Sequence, residues 1–261
     1  MRALSIGKIG ENLVNEDASI AKDKLIAVSD GAGGGGVFAD LWSKYLVEHL
    51  PDEPIADYQA FDDWIGGIWE PFYNDCEERA KAEGGMLLNK FYDEGSFATL
   101  VAVWKDGQWI SYGDSVAFCY HRKTGILEHS FTKLSYFNMP PYLINCKDPL
   151  SPDGFRSGKF EIDDDCMVFA ASDALAHYII MMYEWANMDK YHDELRVANN
   201  GLTKNSQFIK TAMCLRNKID FSKNVMQKLD NCRSKIMLEA HIGRLKRMNL
   251  IGHDDYSLAI L

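Results

Sequence analysis

Acidic residues stand at the ends of apolar segments throughout this chain. Asp30 closes Leu25-Ile26-Ala27-Val28, Asp114 closes Trp109-Ile110-Ser111-Tyr112, and Asp173 closes Cys166 to Ala171. Glu16 and Asp17 open the segment from Ala18, and Asp254 and Asp255 open Tyr256 to Leu261. In an antiparallel sheet the end of one strand neighbours the start of the next. Three strand-end acids and four strand-start acids can therefore meet at one edge of a core. Clustered, partly desolvated carboxylates must protonate, spread apart or hold cations. Hard oxygen ligands favour Mg²⁺ or Mn²⁺. Two such ions a few Å apart can hold a water, lower its pKa and aim it at a phosphoryl group. A single acid at a strand end is ordinarily a solvated turn residue, as Asp163-Asp164-Asp165 read. The set is different, because its members fall at equivalent places in separate elements.

The elements that must position these acids are legible in outline. Leu4 and Ile6 alternate near the N-terminus. Ala18 to Ala21 and Leu25 to Ser29 form a hairpin around Lys22-Asp23-Lys24. Val37, Leu41 and Tyr45, with Phe38, Trp42 and Leu46 beside them, have the spacing of an amphipathic helix that Pro51 and Pro54 end. Phe61, Ile65, Ile68, Phe72, Cys76 and Ala80 predict a second helix, with a kink or break where Gly66, Gly67 and Pro71 fall and an end at Gly84-Gly85. Trp64, Trp69 and Phe72 read as core packing. Strands follow at Phe97 to Trp104, Trp109 to Tyr112, Val116 to Tyr120 and Ile126 to Phe131, joined by turns tight enough to require antiparallel pairing. Residues 132–158 hold four prolines and read as an irregular excursion. After the apolar strand Cys166 to Ala171, helices are predicted over Leu175 to Trp185, with Met181 and Met182 in the core, and over Asn224 to Met248. Runs of strands and runs of helices indicate an α+β fold with helices outside antiparallel sheets.

Composition narrows the function. The 261 residues carry 28 Lys plus Arg against 38 Asp plus Glu, a formal net charge of −10. That balance argues against nucleic acid and against docking on anionic lipid. No apolar run approaches the roughly 20 residues needed to span a bilayer, and residues 1–15 have no secretory h-region. Cys76, Cys119, Cys146, Cys166, Cys214 and Cys232 contain no CxxC pair, so their spacings do not suggest zinc. They read as free thiols in a reducing cytoplasm. Without repeats or linkers, residues 1–261 read as one domain.

Gly31-Ala32-Gly33-Gly34-Gly35-Gly36 matches G-x-G-x-x-G. Asp30 would press a negative charge toward a bound pyrophosphate, and Pro51-Asp52-Glu53-Pro54 follows the helix where a βαβ unit needs a strand. The run reads instead as a sharp turn beside a metal site, where an Asp-Gly pair can offer a carboxylate and a carbonyl.

Six segments line up in order with one family: Asn15-Glu16-Asp17, Ser29-Asp30-Gly31-Ala32-Gly33-Gly34, Gly95-Ser96-Phe97-Ala98-Thr99, Gly113-Asp114-Ser115, Ala171-Ser172-Asp173 and Asp254-Asp255-Tyr256-Ser257. The chain resembles the metal-dependent Ser/Thr protein phosphatases (the type 2C-like, or PPM, group) from about Ser5 to Leu261, and most of all the compact single-domain bacterial members. The resemblance implies a β-sandwich of two antiparallel sheets flanked by α-helices, with two Mn²⁺ or Mg²⁺ ions at one end. It implies that Asp30 bridges the ions and that Gly31 adds its carbonyl. Asp173 and Asp254 would ligate one ion, Glu16 would serve the other, and Asp17 would hold coordinated water. Asp114 matches the acid that helps bind a weaker third ion, and Asp255 a supporting residue behind the ligands. The implied reaction is direct attack of water on the phosphorus of a phosphoserine or phosphothreonine in a protein, by a cytoplasmic monomer.

The chain also departs from the family pattern. The Arg that grips substrate phosphate, four residues before the first Glu, is Asn12, and Lys8 is the nearest upstream cation. The His often found in or after the Asp-Gly turn is Ala32 or Gly35, which leaves the general acid unassigned. Asp173 is followed by Ala174, the frequent acid four residues on is His177, and the Arg after Gly-Asp-Ser is Val116. These changes keep two alternatives open: a pseudophosphatase that binds without turnover, and a hydrolase of a small phosphorylated metabolite. His177, on a helix starting beside the site, is a supporting residue on this reading. His253 abuts Asp254 and reads as a surface turn residue. Residues 132–158 correspond to the family's substrate-facing flap. Arg244, Lys246 and Arg247 read as complements to a helix dipole.

Overall fold

The computed structural model describes all residues except Gly35, 201–203 and 216–218. Two five-stranded antiparallel sheets carry the fold. The first has the order β1 (Arg2–Ile6), β12 (Tyr256–Ile260), β11 (Cys166–Ala171), β7 (Val116–His121), β8 (Leu127–His129). The second runs β10 (Phe155–Lys159), β6 (Gln108–Tyr112), β5 (Leu100–Trp104), β3 (Leu25–Ser29), β2 (Ala18–Ala21). A two-stranded ribbon pairs β4 (Phe97–Ala98) with β9 (Ile144–Asn145). The α+β sandwich expected from the sequence is present.

Central strands are buried on both faces, which is why they read as unbroken apolar runs. Ile26, Val28, Val101, Val103, Ala117, Cys119, Val168 and Ala170 fill the space between the sheets. From the same strands Leu25, Ala27, Leu100 and Ala102 point the other way, onto α1 (Ala39–Glu48), α2 (Tyr58–Glu83) and α3 (Gly85–Glu94). Val116, Phe118, Phe169 and Ala171 face the layer led by α4 (Asp173–Ala186), followed by α5 (Met188–Asn199), α6 (Lys204–Leu215), α7 (Gln227–Asp230) and α8 (Lys235–Arg247). Phe118 and Phe169 stack at 4.8 Å, both fully buried. Phe169→Ala is expected to cost about 3–5 kcal/mol, measured as a lowered midpoint in urea unfolding.

Four boundaries differ from expectation. Pro71 does not break α2, which runs 26 residues. An interior proline costs about 3 kcal/mol, but Phe61, Ile65, Phe72, Cys76 and Ala80 are buried along one face. At roughly 1.5–3 kcal/mol for each large apolar side chain, that face outweighs it. Gly84, at φ 120°, ends α2, and α3 starts at once behind it. The strand expected over residues 97–104 is interrupted at Thr99, and the irregular 132–158 segment leads into β10, which begins at Phe155 and ends at Lys159, an edge strand whose residues are not apolar enough to announce it. The helix expected from Asn224 to Met248 is broken at residues 231–234, where the Ser234 hydroxyl accepts from Met237 N and restarts it as α8.

Candidate metal centre

Hydrogen bonds at the strand ends fix where the acids sit. Ser29 Oγ donates to the Thr99 carbonyl at 2.6 Å, Thr99 N donates to the Asp30 carbonyl at 2.8 Å, and Asp30 N donates to Thr99 Oγ1 at 3.2 Å. Thr99 Oγ1 also pairs with Ser115 Oγ at 2.6 Å. The break between β4 and β5 thus links the turn bearing Asp30 to the turn bearing Asp114. Gly31 is fixed by packing: a Cβ there would lie 2.6 Å from the Glu16 carbonyl oxygen and 2.7 Å from that of Ala39. That carbonyl of Glu16 accepts from Gly31 N at 3.2 Å and Ser43 Oγ at 2.5 Å. A Cβ at Gly33 would strike the Glu16 carboxylate itself.

Asp255 is almost fully buried and accepts from Lys8 N and Glu16 N, both at 2.8 Å. It braces the two segments that enter the site. An amide at this position keeps one acceptor and turns an NH₂ toward a backbone donor. Asp255→Asn is therefore expected to cost about 2 kcal/mol, read by chemical denaturation, because it loosens the Lys8 and Glu16 segments. At the other end of the site, Ser172 Oγ accepts from Ser257 N at 2.9 Å and joins the turn before Asp173 to β12. Asp173 is the first residue of α4 and accepts from Ala174 N. The helix N-terminus favours its negative charge.

Burial dominates the electrostatics. It pushes Asp30 and Asp173 well above the usual carboxylate range, and neighbouring acids push further: Asp17, Asp173, Asp114 and Asp254 act on Asp30. Burial raises Asp17 to about 7, with Asp255 and Asp254 adding to it and the Ser172 and Ser257 hydroxyls offsetting part. Burial raises Asp114 to about 6, and raises Glu16 as well. Both carboxylate oxygens of Asp17 are buried, close to the Ser172 and Ser257 hydroxyls but without a well-formed hydrogen bond. Such groups call for positive charge. The Lys8 ammonium supplies part of it, 3.6 Å from Asp254 and 3.9 Å from Asp255. Burial works against the charged lysine, but Asp255, Asp254 and Glu16 outweigh it and raise its pKa. Among the described residues, no three of these carboxylates present oxygens within 4.8 Å of one another, so they line a basin and do not grip one point. Hard donors, excess negative charge and orphaned oxygens together fit divalent cations.

A cleft of about 590 Å³ opens beside Asp173 and Asp254. Its walls include Phe137, His177, Asn205, Lys246 and His253. His177 lies one helical turn beyond Asp173, at ring-centroid distances of 5.4 Å from Phe137 and 6.1 Å from Phe208. Burial lowers its pKa to about 4, so it is neutral at pH 7, and its Nε2 has no partner. His253 is held between Lys246 Nζ and Glu11 Oε1, each at 2.5 Å. Lys246 does lie in the last turn of α8, as the dipole reading has it, and it also lines the cleft. Phe137 brings one end of the 132–158 segment to the cleft wall, and the Tyr142 carbonyl packs against Gly113 beside Asp114.

The ordered acids Glu16, Asp17, Asp30, Asp114, Asp173, Asp254 and Asp255 thus gather at one end of the sandwich, linked through shared backbone contacts and mutual repulsion. Gly35 lies outside the described residues. Sequence reasoning could not place Lys8 and gave no role to Thr99 or Ser115. Their signal was present only as members of short motifs, Gly95–Thr99 and Gly113–Ser115, whose purpose is to tie two turns together.

The fold is that of the PPM-type Ser/Thr phosphatases. The catalytic domain of the serine/threonine protein phosphatase PstP, in complex with two manganese ions, superposes with a TM-score of 0.51 at 15% identity, covering 99% of this chain and 95% of that one. PstP/Ppp from Mycobacterium tuberculosis gives 0.52 at 12% identity over 99% and 96%. Serine-threonine phosphatase 2C from Toxoplasma gondii gives 0.50 at 13% over 99% and 93%. The sequence matches no protein-family model and no curated protein. The likeness is one of architecture, and it coincides with motif order along the chain.

Proposed function

We propose that this chain is a divalent-metal-dependent phosphoprotein phosphatase acting on phosphoserine or phosphothreonine, with residues 1–261 as one catalytic domain. The observation that carries the proposal is the basin of buried acids, raised in pKa by burial and by one another, at the end of a sandwich shared with PPM-type phosphatases. The two manganese ions of the PstP structure support the count of two. Asp30, the Gly31 carbonyl, Asp173, Asp254 and Glu16 would hold two Mn²⁺ or Mg²⁺ ions, with Asp17 behind them and Asp114 toward a weaker third. The ions would supply a coordinated water of lowered pKa and electrophilic contacts to the phosphoryl oxygens.

The residues supply the rest. Asp255 and Ser43 hold Glu16 in place, and Thr99 and Ser115 hold Asp30 and Asp114. Asn12 is exposed and carries no charge, so the phosphate-gripping role passes to the cations at the rim, Lys8 and Lys246. His177, neutral and enclosed, shapes the cleft wall and brings no positive charge to it.

Hydrolysis of p-nitrophenyl phosphate with Mn²⁺, with and without EDTA, tests the reaction. Turnover that EDTA abolishes and Mn²⁺ restores is expected. Absence of turnover with intact metal binding would favour the pseudophosphatase, the reading that exposed Asn12 motivates. Rates on phosphopeptides are expected to exceed those on sugar and nucleotide phosphates; the reverse order would assign the site to a small metabolite.

A further inference from the structure

A second cluster of ligating side chains lies at the opposite end of the first sheet. β7 runs from beside Asp114 to His121, and β11 runs from Cys166 to beside Asp173. The six residues of β7 carry the chain roughly 20 Å from the Asp114 turn to His121. The antiparallel register sets Cys166 directly opposite His121. Cys119, two residues before His121, shares its face of the strand. One ligating atom from each of Cys119, His121 and Cys166 falls within 4.8 Å of the others.

The details match a metal site more closely than a packing accident. Cys166 Sγ is 3.4 Å from His121 Nδ1 and 3.2 Å from Asp163 Oδ1. A tetrahedral ion with bonds of about 2.0–2.3 Å to N, O and S sets its ligands about 3.3–3.8 Å apart. Cys119 Sγ lies 3.9 Å from the ring, measured to Nε2. Asp165 N donates to Asp163 Oδ1 at 2.8 Å and aims that carboxylate at Cys166. On the far side of the ring, His121 Nε2 is 2.7 Å from Glu128 Oε1. A carboxylate on the second nitrogen is the usual partner of a metal-binding His, since it fixes the tautomer and leaves the first nitrogen free to ligate. Cys119 is buried, while His121 and Cys166 are partly open to solvent, which gives an ion a way in.

We propose that Cys119, His121 and Cys166 form a site for a borderline-soft divalent cation of the Zn²⁺ class, distinct from the acidic basin, with the Asp163 carboxylate beside Cys166. Two thiolates with one imidazole select such an ion over Mg²⁺ or Mn²⁺. Burial raises both thiols, so the apo site is protonated, and binding releases two protons to solvent as the two S–metal bonds form. Its three ligands come from two paired strands, so a bound ion would tie those strands together. It would clamp β7 to the turn at residues 161–166 that feeds β11, the strand leading to Asp173. Sequence spacing gave no hint of it because the ligands come from two strands paired across the sheet.

The test uses the full chain, stripped of metal and titrated with CoCl₂ alone, then with ZnCl₂. Expected are tetrahedral d–d bands and a thiolate-to-cobalt charge-transfer band that saturate at one equivalent and are displaced by one equivalent of Zn²⁺. Cys166→Ser, at a partly exposed position, leaves Cys119 as a single thiolate and should cut the charge-transfer intensity about twofold while weakening affinity for cobalt. Glu128→Gln should keep the spectrum and weaken affinity about 10- to 100-fold. Asp30→Asn should leave it unchanged, which separates this site from the acidic basin. Absence of the charge-transfer band in the wild-type chain, or a band unchanged in intensity and affinity in Cys166→Ser, would overturn the proposal.

Discussion

Asp30→Asn is expected to lower kcat/KM for p-nitrophenyl phosphate about a thousandfold, equivalent to about 4 kcal/mol of lost transition-state stabilisation. The substitution keeps the shape of the side chain and removes its charge. Asp30 is the acid on which the others converge: Asp17, Asp173, Asp114 and Asp254 all raise its pKa, after burial itself. Asp173 is pressed in the same way by Asp114, Asp254 and Asp17. An ion placed where that repulsion is greatest gains most from Asp30, and loses most with it. The backbone ties to Thr99 are independent of the carboxylate, so the fold should survive, as far-ultraviolet circular dichroism can check. A variant within tenfold of wild type, at saturating Mn²⁺, would show that Asp30 does not hold the reacting centre.

The second large effect is on stability, and it reverses the usual behaviour of acids. Most carboxylates in folded proteins have lowered pKa values and lend stability that is lost in acid. Asp17 is raised from an unfolded value of about 3.9 to about 7 by burial. Between those values the native state keeps a proton that the unfolded chain has released, so stability falls as pH rises. The favourable contribution is complete below about pH 4 and gone above pH 7. For Asp17 alone it amounts to at most about 4 kcal/mol. Asp114, raised to about 6, acts in the same direction, and Asp30 and Asp173 extend the loss to higher pH. Divalent cations bound among these acids, as proposed, would relieve this strain by holding the carboxylates ionised. An ion at 100 times its Kd adds about 2.7 kcal/mol, and its apparent affinity rises with pH as protons leave the ligands. In EDTA the melting temperature should therefore fall from pH 5 to pH 8, and the increment gained with Mn²⁺ should grow over the same range. An increment independent of pH would mean that these acids are not the ligands.

How much of this was legible in the sequence depends on the range over which each signal acts. The hairpin at residues 18–29 and the strand at Cys166–Ala171 were read to the residue, because turn chemistry and continuous apolar runs are local. The positions of the acids were legible for the same reason, since each marks the end of such a run. Pro71 misled because a local rule was overridden by burial of Phe61, Phe72 and Cys76 against the sheet. β10 was missed because Phe-Arg-Ser-Gly-Lys becomes a strand only by pairing with β6. Lys8 could not be placed because its partners, Asp254 and Asp255, lie nearly a whole chain length away. The Cys119–His121–Cys166 cluster was invisible for a related reason: its members meet through register across two strands.

The central claim is that buried carboxylates at the sandwich end hold two divalent ions. A crystal structure grown with MnCl₂ and phased at the manganese edge tests it most directly. The account predicts two anomalous peaks within the basin lined by Glu16, Asp30, Asp173 and Asp254. A metal-soaked crystal with no anomalous density between Asp30, Asp173 and Asp254 would contradict it.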